Sequence, residues 1–347
     1  MTNQPNNNEI AQNDIDKENT FQIPLEQDEI KSEKFKSKIG GQALIEGIMM
    51  RGIDKSAMAL RLPTGEIEVE EWDAKNGKNA PWYKKVPFIR GVFNMVGSLV
   101  EGYKCLSKSA DRAMDFEELE DDEPQSKFEI WLEEKIGDKL VPIITTIGTV
   151  FGVVIALVLF MFVPSWIVKG IGQLIHMNYY AKTLIEGIIK IFVFIGYMGL
   201  TGLMKDIRRT YEYHGAEHKT IACYEAGDEL TPESVKKYTR FHPRCGTSFI
   251  FIVLFISIIL FAVLRVPWNN VFLRFIIKLP LLPVIVGIGY EIIRLAGRYN
   301  NIFTRIISAP GLWLQRLTTR EPDLDVIEVA IAALKPCIPK DSVDDRW

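Results

Sequence analysis

Residues Pro142 to Val163 read PIITTIGTVFGVVIALVLFMFV, a run of 22 residues without one charged side chain. A helix needs about 20 consecutive apolar residues to cross the hydrocarbon core of a bilayer. A buried core helix of a soluble protein is the alternative for a single run of this kind. The chain contains three further long apolar runs, so we interpret this stretch as a transmembrane helix and the chain as an integral membrane protein.

Two of the other runs have the length of a span. Thr247 to Leu264 gives 18 residues without a charge. Thr183 to Met204 is long enough but carries Glu186 and Lys190. Because these two side chains lie one helical turn apart, we expect them to pair with each other rather than face lipid singly.

The fourth run, from Val271 to about Ile293, fits a span least well. It contains Lys278 and two prolines, Pro280 and Pro283, which are expected to kink a helix. Its centre, LPLLPVIVGIGY, is nevertheless uncharged. We therefore predict a mainly α-helical fold with about four transmembrane helices, and leave open whether this last segment crosses fully.

Lys and Arg in the connections predict the orientation of the spans. Residues 164–182 contain two of them and residues 265–278 three, whereas residues 205–246 contain eight and the chain from residue 294 onward another eight. Lys and Arg are enriched in cytoplasmic connections of membrane proteins. We therefore expect a multi-pass protein of the plasma membrane with both termini in the cytoplasm.

The N-terminal part of the chain consists of a polar tail followed by a segment with the sequence patterns of folded structure. The first 38 residues are polar and contain no apolar signal-peptide core, which predicts a disordered tail. Met58 to Leu62 and Glu66 to Glu70 then alternate apolar and polar residues around the turn sequence PTGE, as in a β-hairpin. Lys85 to Ala110 has helical periodicity and moderate hydrophobicity, so it is expected to lie on the membrane or to pack on the hairpin.

These patterns divide the chain into seven segments. They are a disordered tail (1–38), a small cytoplasmic α+β region with a hairpin and an amphipathic helix (39–112), an acidic linker and lead-in helix (113–140), transmembrane helices one and two (141–204), a cytoplasmic His/Cys loop (205–246), transmembrane helices three and four (247–293) and a cytoplasmic C-terminal tail (294–347). The four cysteines are scattered without disulfide-like spacing, which suits a reducing compartment.

The loop between spans two and three holds the residues with the greatest chemical capability. Tyr213 to His218 reads YHGAEH, which places His214 and His218 at the i and i+4 positions of a helix, one turn apart on one face. Two imidazoles in that relation can bind one metal ion. Glu217 occupies the position of the general base in the inverted zinc-protease motif, so it is the candidate proton acceptor.

Further ligands can come from two places. Glu225 returns to the same helical face as His214, but it lies about 10 Å along the axis from His218, and one ion cannot bridge that distance unless the helix breaks. His242 and Cys245 have the spacing of a ligand pair and are the better source. The alternative is that the histidines are interfacial residues that contact lipid headgroups.

The sequence also predicts how the second ligand pair returns to the first. Gly227 is expected to end the first helix, and Thr231-Pro232-Glu233 has the cap, proline and early acid of a new helix. We expect that helix to stop near Phe241 to Pro243. Two short helices joined by a turn would form a metal-site hairpin.

Four motifs together resemble the YqhQ family of bacterial membrane proteins, which are described as predicted metal-dependent enzymes. They are GGQALIEGIMMRG (Gly40–Gly52), YHGAEHKTIACYE (Tyr213–Glu225), HPRCGTSF (His242–Phe249) and APGLWLQRLTTREPD (Ala309–Asp323). The resemblance implies a working unit that includes the C-terminal tail. It also implies a set of site residues, namely His214, Glu217, His218, Glu225, His242, Arg244 and Cys245.

We therefore expect a divalent metal, Zn²⁺ given His and Cys ligands, held by His214, His218, His242 and Cys245, with Glu225 a further candidate. In the first hypothesis the chain is a metal-dependent, hydrolase-like enzyme in which Glu217 is the base and Arg244 stabilises negative charge. Its substrate would be lipid-linked or a membrane protein.

Two other hypotheses remain. A non-catalytic membrane scaffold would close a four-ligand structural site and bind a cytoplasmic protein partner. A transporter would use the few ionisable residues within or at the ends of the spans (Glu186, Lys190, Lys278 and Glu291). The lipid bilayer is a partner in every case, and no nucleic-acid partner is expected.

Overall fold

The structure is a computed structural model that describes residues 35–74, 81–120, 140–268, 270–299 and 301–339. The tail predicted for residues 1–38 lies outside them as far as residue 34. The acidic linker and lead-in helix predicted for residues 113–140 also lie largely outside the described ranges.

A small antiparallel sheet opens the described chain. Its strands, β1 (Gly40–Leu44), β2 (Gly47–Arg51), β3 (Lys55–Arg61) and β4 (Ile67–Asp73), pair in sequence order. The predicted hairpin is confirmed as β3 and β4, with Arg61 opposite Ile67. The sequence reading missed the β1–β2 hairpin, because its two-residue turn, Ile45 and Glu46, has no Asn-Gly or Asp-Gly signal. Glu46 instead takes the left-handed conformation, with φ of 45°.

The rest of the described chain is helical. Its helices are α1 (Ile89–Glu120), α2 (Leu140–Leu157), α3 (Val163–Leu174), α4 (Tyr179–Thr201), α5 (Lys205–Ala226), α6 (Pro232–Lys236), α7 (Gly246–Val263), α8 (Val271–Lys278), α9 (Leu282–Arg298), α10 (Ile302–Thr318) and α11 (Leu324–Leu334). A π-helical turn, Val158–Phe162, joins α2 to α3.

Within the described residues, four helical stretches are long and apolar enough to cross a membrane: Thr146–Leu174, Tyr179–Thr201, Gly246–Val263 and Val271–Arg298. The predicted number of apolar spans is therefore confirmed. The fourth combines α8 and α9 through a single 3-10 turn, Leu279–Leu281, at the predicted proline positions. Helical structure thus continues over 28 residues in the run that, from its sequence, fitted a membrane span least well.

The predicted pairing of Glu186 with Lys190 inside the second span is also confirmed, at 3.1 Å. Two further cations, Arg274 and Lys278 of α8, contact the same carboxylate. Burial explains this convergence, since Glu186 keeps only 2% of its surface exposed and a buried charge needs partners.

An apolar core outside the spans joins distant parts of the chain. Ile48 of β2, Tyr213 of α5, Val235 of α6 and Ile327 of α11 are all buried in one apolar cluster. The N-terminal sheet and the C-terminal helix α11, which come from opposite ends of the chain, therefore both pack against the loop between spans two and three. This packing holds α5 in place and so positions the candidate site.

The structure confirms part of the prediction for the ends of the two helices in this loop, α5 and α6. Gly227 ends α5 with φ of +67°, and the Thr231 side chain accepts the Ser234 N–H at the start of α6. However, α6 ends at Lys236 rather than near Phe241. The Lys237 and Tyr238 amides make i−3 bonds that tighten the last turn, so the chain leaves the helix early and runs on towards His218.

Candidate metal centre

Helix α5 brings His214 and His218 together as the sequence predicted. Their ring centroids are 4.4 Å apart, and His218 is almost fully buried. The helix is continuous over its 22 residues, so the i, i+4 relation is kept without distortion.

Cys245 is the third member of the group. It is the N-cap residue of α7, and its Sγ lies 3.2 Å from His214 Nε2. One ligand atom from each of His214, His218 and Cys245 lies within 4.8 Å of the other two. That spacing is compatible with a single ion bound at 2.0–2.3 Å from each ligand.

The hydrogen bonds of the two imidazoles test whether the group fits a metal. His214 Nδ1 lies 2.8 Å from the Thr318 carbonyl oxygen, and His218 Nδ1 lies 2.6 Å from that of Arg240. A carbonyl oxygen only accepts, so each Nδ1 carries a proton, and in the neutral imidazole, the form that binds a metal, each Nε2 presents a lone pair. His218 Nε2 is buried and has no hydrogen-bond partner among the described residues. Metal-ligating histidines are commonly oriented in this way, and the residues present fit a divalent ion.

The electrostatics of the group favour the ligand form of the cysteine. Burial alone would raise the pKa of the Cys245 thiol, but the neighbouring His214 and His218 hold that pKa well below its usual range. The thiolate in turn raises the pKa of His214 to about 9, against the effect of burial. The Thr247 N–H at the start of α7 also points to the sulfur, at 3.5 Å, and a helix N-terminus stabilises a thiolate.

Glu217 lies beside the group on α5. Its Oε1 accepts the Gly41 N–H of β1 at 2.9 Å, and burial raises the pKa of its carboxyl group. A Cβ on Gly41 would stand 3.0 Å from the Glu217 carboxyl carbon, so the close approach of this strand depends on glycine. The sheet thus orients the carboxylate that the sequence singled out.

His242 is near the group but is not one of its three members. Its ring centroid is 5.5 Å from that of His218, and its Nε2 accepts from Arg244 Nη2 at 3.1 Å. Burial and the adjacent Arg244 lower the pKa of this imidazole well below its usual value, so it is neutral. Gln315 holds the His242 backbone with two hydrogen bonds of 2.7 Å.

Glu225 and Arg244 form a buried ion pair and are not members of the group of three candidate ligands. The Glu225 carboxylate also accepts the Ser37 N–H at 2.6 Å. Since α5 does not break, Glu225 stays about 10 Å along the axis from His218. Arg244 keeps one buried nitrogen, Nη1, for which the described residues provide no hydrogen-bond partner.

No role was assigned from the sequence to the residues that orient the side chains of the candidate site. Gln315 and the Thr318 carbonyl come from α10, the Arg240 carbonyl follows α6, and Gly41 lies in β1. Gln315 and Thr318 do fall within the motif Ala309–Asp323, which implied that the tail belongs to the working unit. Gln315 acts through its side-chain amide and Thr318 through its backbone carbonyl. Both contacts depend on tertiary packing, which a residue pattern does not reveal.

Comparison with known proteins agrees with this grouping of motifs. The chain is 31% identical over 309 residues to the uncharacterized protein YqhQ of Bacillus subtilis (strain 168), covering 88% of this chain and 94% of the relative. No solved structure matches the chain. Residues 86–340 match the family described as "Protein of unknown function (DUF1385)". These matches confirm the resemblance to YqhQ and show that the chain belongs to the DUF1385 family.

Proposed function

We propose that this polytopic membrane protein is a metal-dependent enzyme whose site lies at the cytoplasmic membrane surface. The observation that carries the proposal is the convergence of His214, His218 and Cys245, with both histidines oriented through Nδ1 by backbone carbonyls. Three protein ligands leave one position of a tetrahedral ion open, as in catalytic zinc sites. The ion we propose is Zn²⁺, because imidazole and thiolate ligands suit it.

A bound Zn²⁺ would supply an acidified water or a Lewis acid at this place. Glu217 is the proton acceptor in our proposal, because its buried carboxyl has a raised pKa and interacts electrostatically with His214 and His218. Arg244 is the residue that stabilises negative charge, through the Nη1 donor that its ion pair with Glu225 leaves unused.

A lipid-linked molecule or a membrane protein is the substrate class that the location supports. Cys245 immediately precedes the span Gly246–Val263, so the ligands lie at the end of a membrane helix. A cytoplasmic orientation is supported by the apolar core that joins the sheet, α5 and α11. Those elements must share one side of the membrane, and they include the connection richest in Lys and Arg.

A non-catalytic scaffold with a structural metal site is the second candidate. The burial of His218, Glu217 and Cys245, each less than one-tenth exposed, favours it, since structural zinc sites are closed to solvent. His242 would then be the fourth ligand, after its imidazole exchanges the Arg244 contact for the ion.

The two candidate functions predict different metal contents for one variant, His242→Ala. Purified wild-type protein is expected to carry one equivalent of metal, and His214→Ala, His218→Ala or Cys245→Ala should lose it. Under the enzyme proposal His242→Ala keeps the metal, because His242 is outside the ligand group. Under the scaffold proposal it loses the metal, because a structural site needs its fourth ligand.

Metal analysis by mass spectrometry provides the measurement, and Glu225→Gln serves as a matched control that removes a buried carboxylate outside the group. Wild-type protein without stoichiometric metal would contradict both candidates. Retention of metal by all three ligand variants would show that the ion binds elsewhere.

A further inference from the structure

A second cluster of charges lies inside the bundle of spans. Its centre is Glu186 of α4, which contacts Lys190 at 3.1 Å, Lys278 at 2.6 Å and Arg274. Ser165 of α3 donates to the same carboxylate at 2.9 Å. Three of the candidate spans therefore meet at one carboxyl group.

The charges of this cluster do not balance. Glu186, Arg274 and Lys278 are each no more than 2% exposed, and the Lys190 side chain is 11% exposed. Among the described residues, Glu186 is the only carboxylate paired with these three cations. With each group in its ordinary charged form, one negative and three positive groups leave an excess of two positive charges in a low-dielectric environment, where uncompensated charge is strongly unfavourable.

Glu186 has no further capacity to compensate. Its Oε1 already accepts from Ser165, Lys190 and Lys278, and its Oε2 accepts from Arg274. The Phe261 ring lies 4.7 Å from Lys278 Nζ and interacts with that cation through its π face. An aromatic ring offers no negative charge, so the excess remains.

Two buried donors at the cluster also lack acceptors. Arg274 donates through Nη1 to the Val266 carbonyl at 3.0 Å and through Nη2 to Glu186, but its Nε has no partner among the described residues. The Trp268 ring stacks 3.6 Å from the Arg274 guanidinium, and its Nε1 is likewise buried without a partner in the part of the chain that the structure describes. Buried donors are nearly always satisfied in folded proteins, so an acceptor is missing at this place.

The cluster is well separated from the His/Cys group. Phe261 lies 15 residues along α7 from Gly246, which corresponds to about 22 Å of helix. Glu186 lies seven residues after Tyr179, where α4 begins, so the cluster is about 10 Å inside that end of the span. This depth is within reach of a lipid headgroup drawn into the bundle.

We propose that this cluster binds a phosphate-bearing anion between the spans, supplied by an anionic lipid headgroup or by free phosphate. Free phosphate, with up to two negative charges, would match the excess, and the single charge of a lipid phosphodiester would offset half of it. In either case the oxygens of the ligand would accept from Arg274 Nε and Trp268 Nε1. Guanidinium and ammonium groups together are a common phosphate-binding set in proteins.

Native mass spectrometry of the full-length protein in detergent tests the proposal with three probes: phosphatidylglycerol, phosphatidylcholine and inorganic phosphate. We expect wild-type protein to retain phosphatidylglycerol or phosphate in preference to the zwitterionic lipid. Lys278→Gln should weaken that retention roughly tenfold, the effect of losing one hydrogen bond to a charged group. Arg274→Gln should act in the same direction.

Arg265→Gln is the matched control, because Arg265 is an exposed cation at the same end of the bundle that contacts Tyr180 instead of Glu186. Its anion retention should equal that of wild type. His218→Ala should also leave anion retention unchanged, which separates this site from the metal centre. Unchanged metal content in Lys278→Gln shows that this variant is folded.

Retention of phosphatidylglycerol alone identifies a lipid ligand, and retention of phosphate alone identifies a free anion; both support the site. Wild-type protein that prefers neither anion over phosphatidylcholine would overturn the proposal. A Lys278→Gln variant that is folded and binds the anions as wild type does would overturn it as well.

Discussion

Glu217 is the residue on which the choice between enzyme and scaffold depends most directly. Its carboxylate is buried beside two histidines and is held by the Gly41 N–H. A glutamine at this position can still accept that hydrogen bond through its amide oxygen, but it cannot take up a proton. An alanine can do neither.

We expect Glu217→Gln to keep the metal at wild-type stoichiometry and to abolish turnover if the site is catalytic. Glu217→Ala should also lower the free energy of unfolding by about 1–3 kcal/mol, because it leaves the Gly41 N–H unsatisfied. Metal analysis measures the metal stoichiometry, and thermal denaturation in detergent measures the change in stability. Equal melting temperatures for the two variants would contradict the orienting contact.

The candidate metal ligands could be predicted from the sequence only where helix geometry alone relates them. His214 and His218 are related by one helical turn, and that relation survives in the structure. Cys245 and His242 had equal standing in the sequence. Packing of α7 and α10 separates them, because it turns the sulfur towards His214 and anchors the His242 backbone to Gln315.

Among the elements, α10 connects the spans to the site. Gly311 lies against Ser248 of α7, and a Cβ added there would stand 2.6 Å from the Ser248 Cα. Gln315 and Thr318 follow at the i+4 and i+7 positions, so they lie on the same face of α10 as Gly311. The close crossing of α7 and α10 therefore sets the position of the groups that hold His242 and His214.

We expect Gly311→Ala to destabilise the protein by about 1–3 kcal/mol, because backbone atoms cannot yield as a flexible side chain can. It should also weaken metal retention by displacing the Thr318 carbonyl. Gly196→Ala is the control, since no atom of the described residues lies within 4 Å of an added Cβ and alanine favours a helix over glycine by about 0.5–1 kcal/mol. Thermal denaturation and metal analysis compare the two variants. Equal changes in stability and metal retention in Gly311→Ala and Gly196→Ala would contradict the close crossing.

For the whole molecule, one core joins the two ends of the described chain. Arg209 of α5 links the sheet to α11, with contacts of 3.1 Å to Glu46 and to Asp325. If the four apolar stretches all cross the membrane, this packing requires the sheet, the loop of residues 205–246 and α11 to lie on the same side. The short connections around His176 and Val266 then lie on the other side.

Cysteine labelling with a membrane-impermeant maleimide tests this arrangement, because the four native cysteines are buried. His176→Cys, at an exposed position between α3 and α4, should be labelled in cells with an intact membrane. Glu229→Cys, exposed between α5 and α6, should be labelled only after permeabilisation. The reverse pattern would contradict a cytoplasmic site, and labelling of both before permeabilisation would contradict the four-span arrangement.

The sequence by itself determined that this chain has four apolar helices and that two histidines share one face of a helix. Both follow from local rules, since apolar length and the 3.6-residue period depend only on neighbouring residues. Only the tertiary structure decided that Cys245 joins the histidines, that Glu225 pairs with Arg244, and that Glu186 gathers three cations. Those relations join residues far apart in the chain, and they are set by how the helices and the sheet pack to bury apolar surface and satisfy buried polar groups.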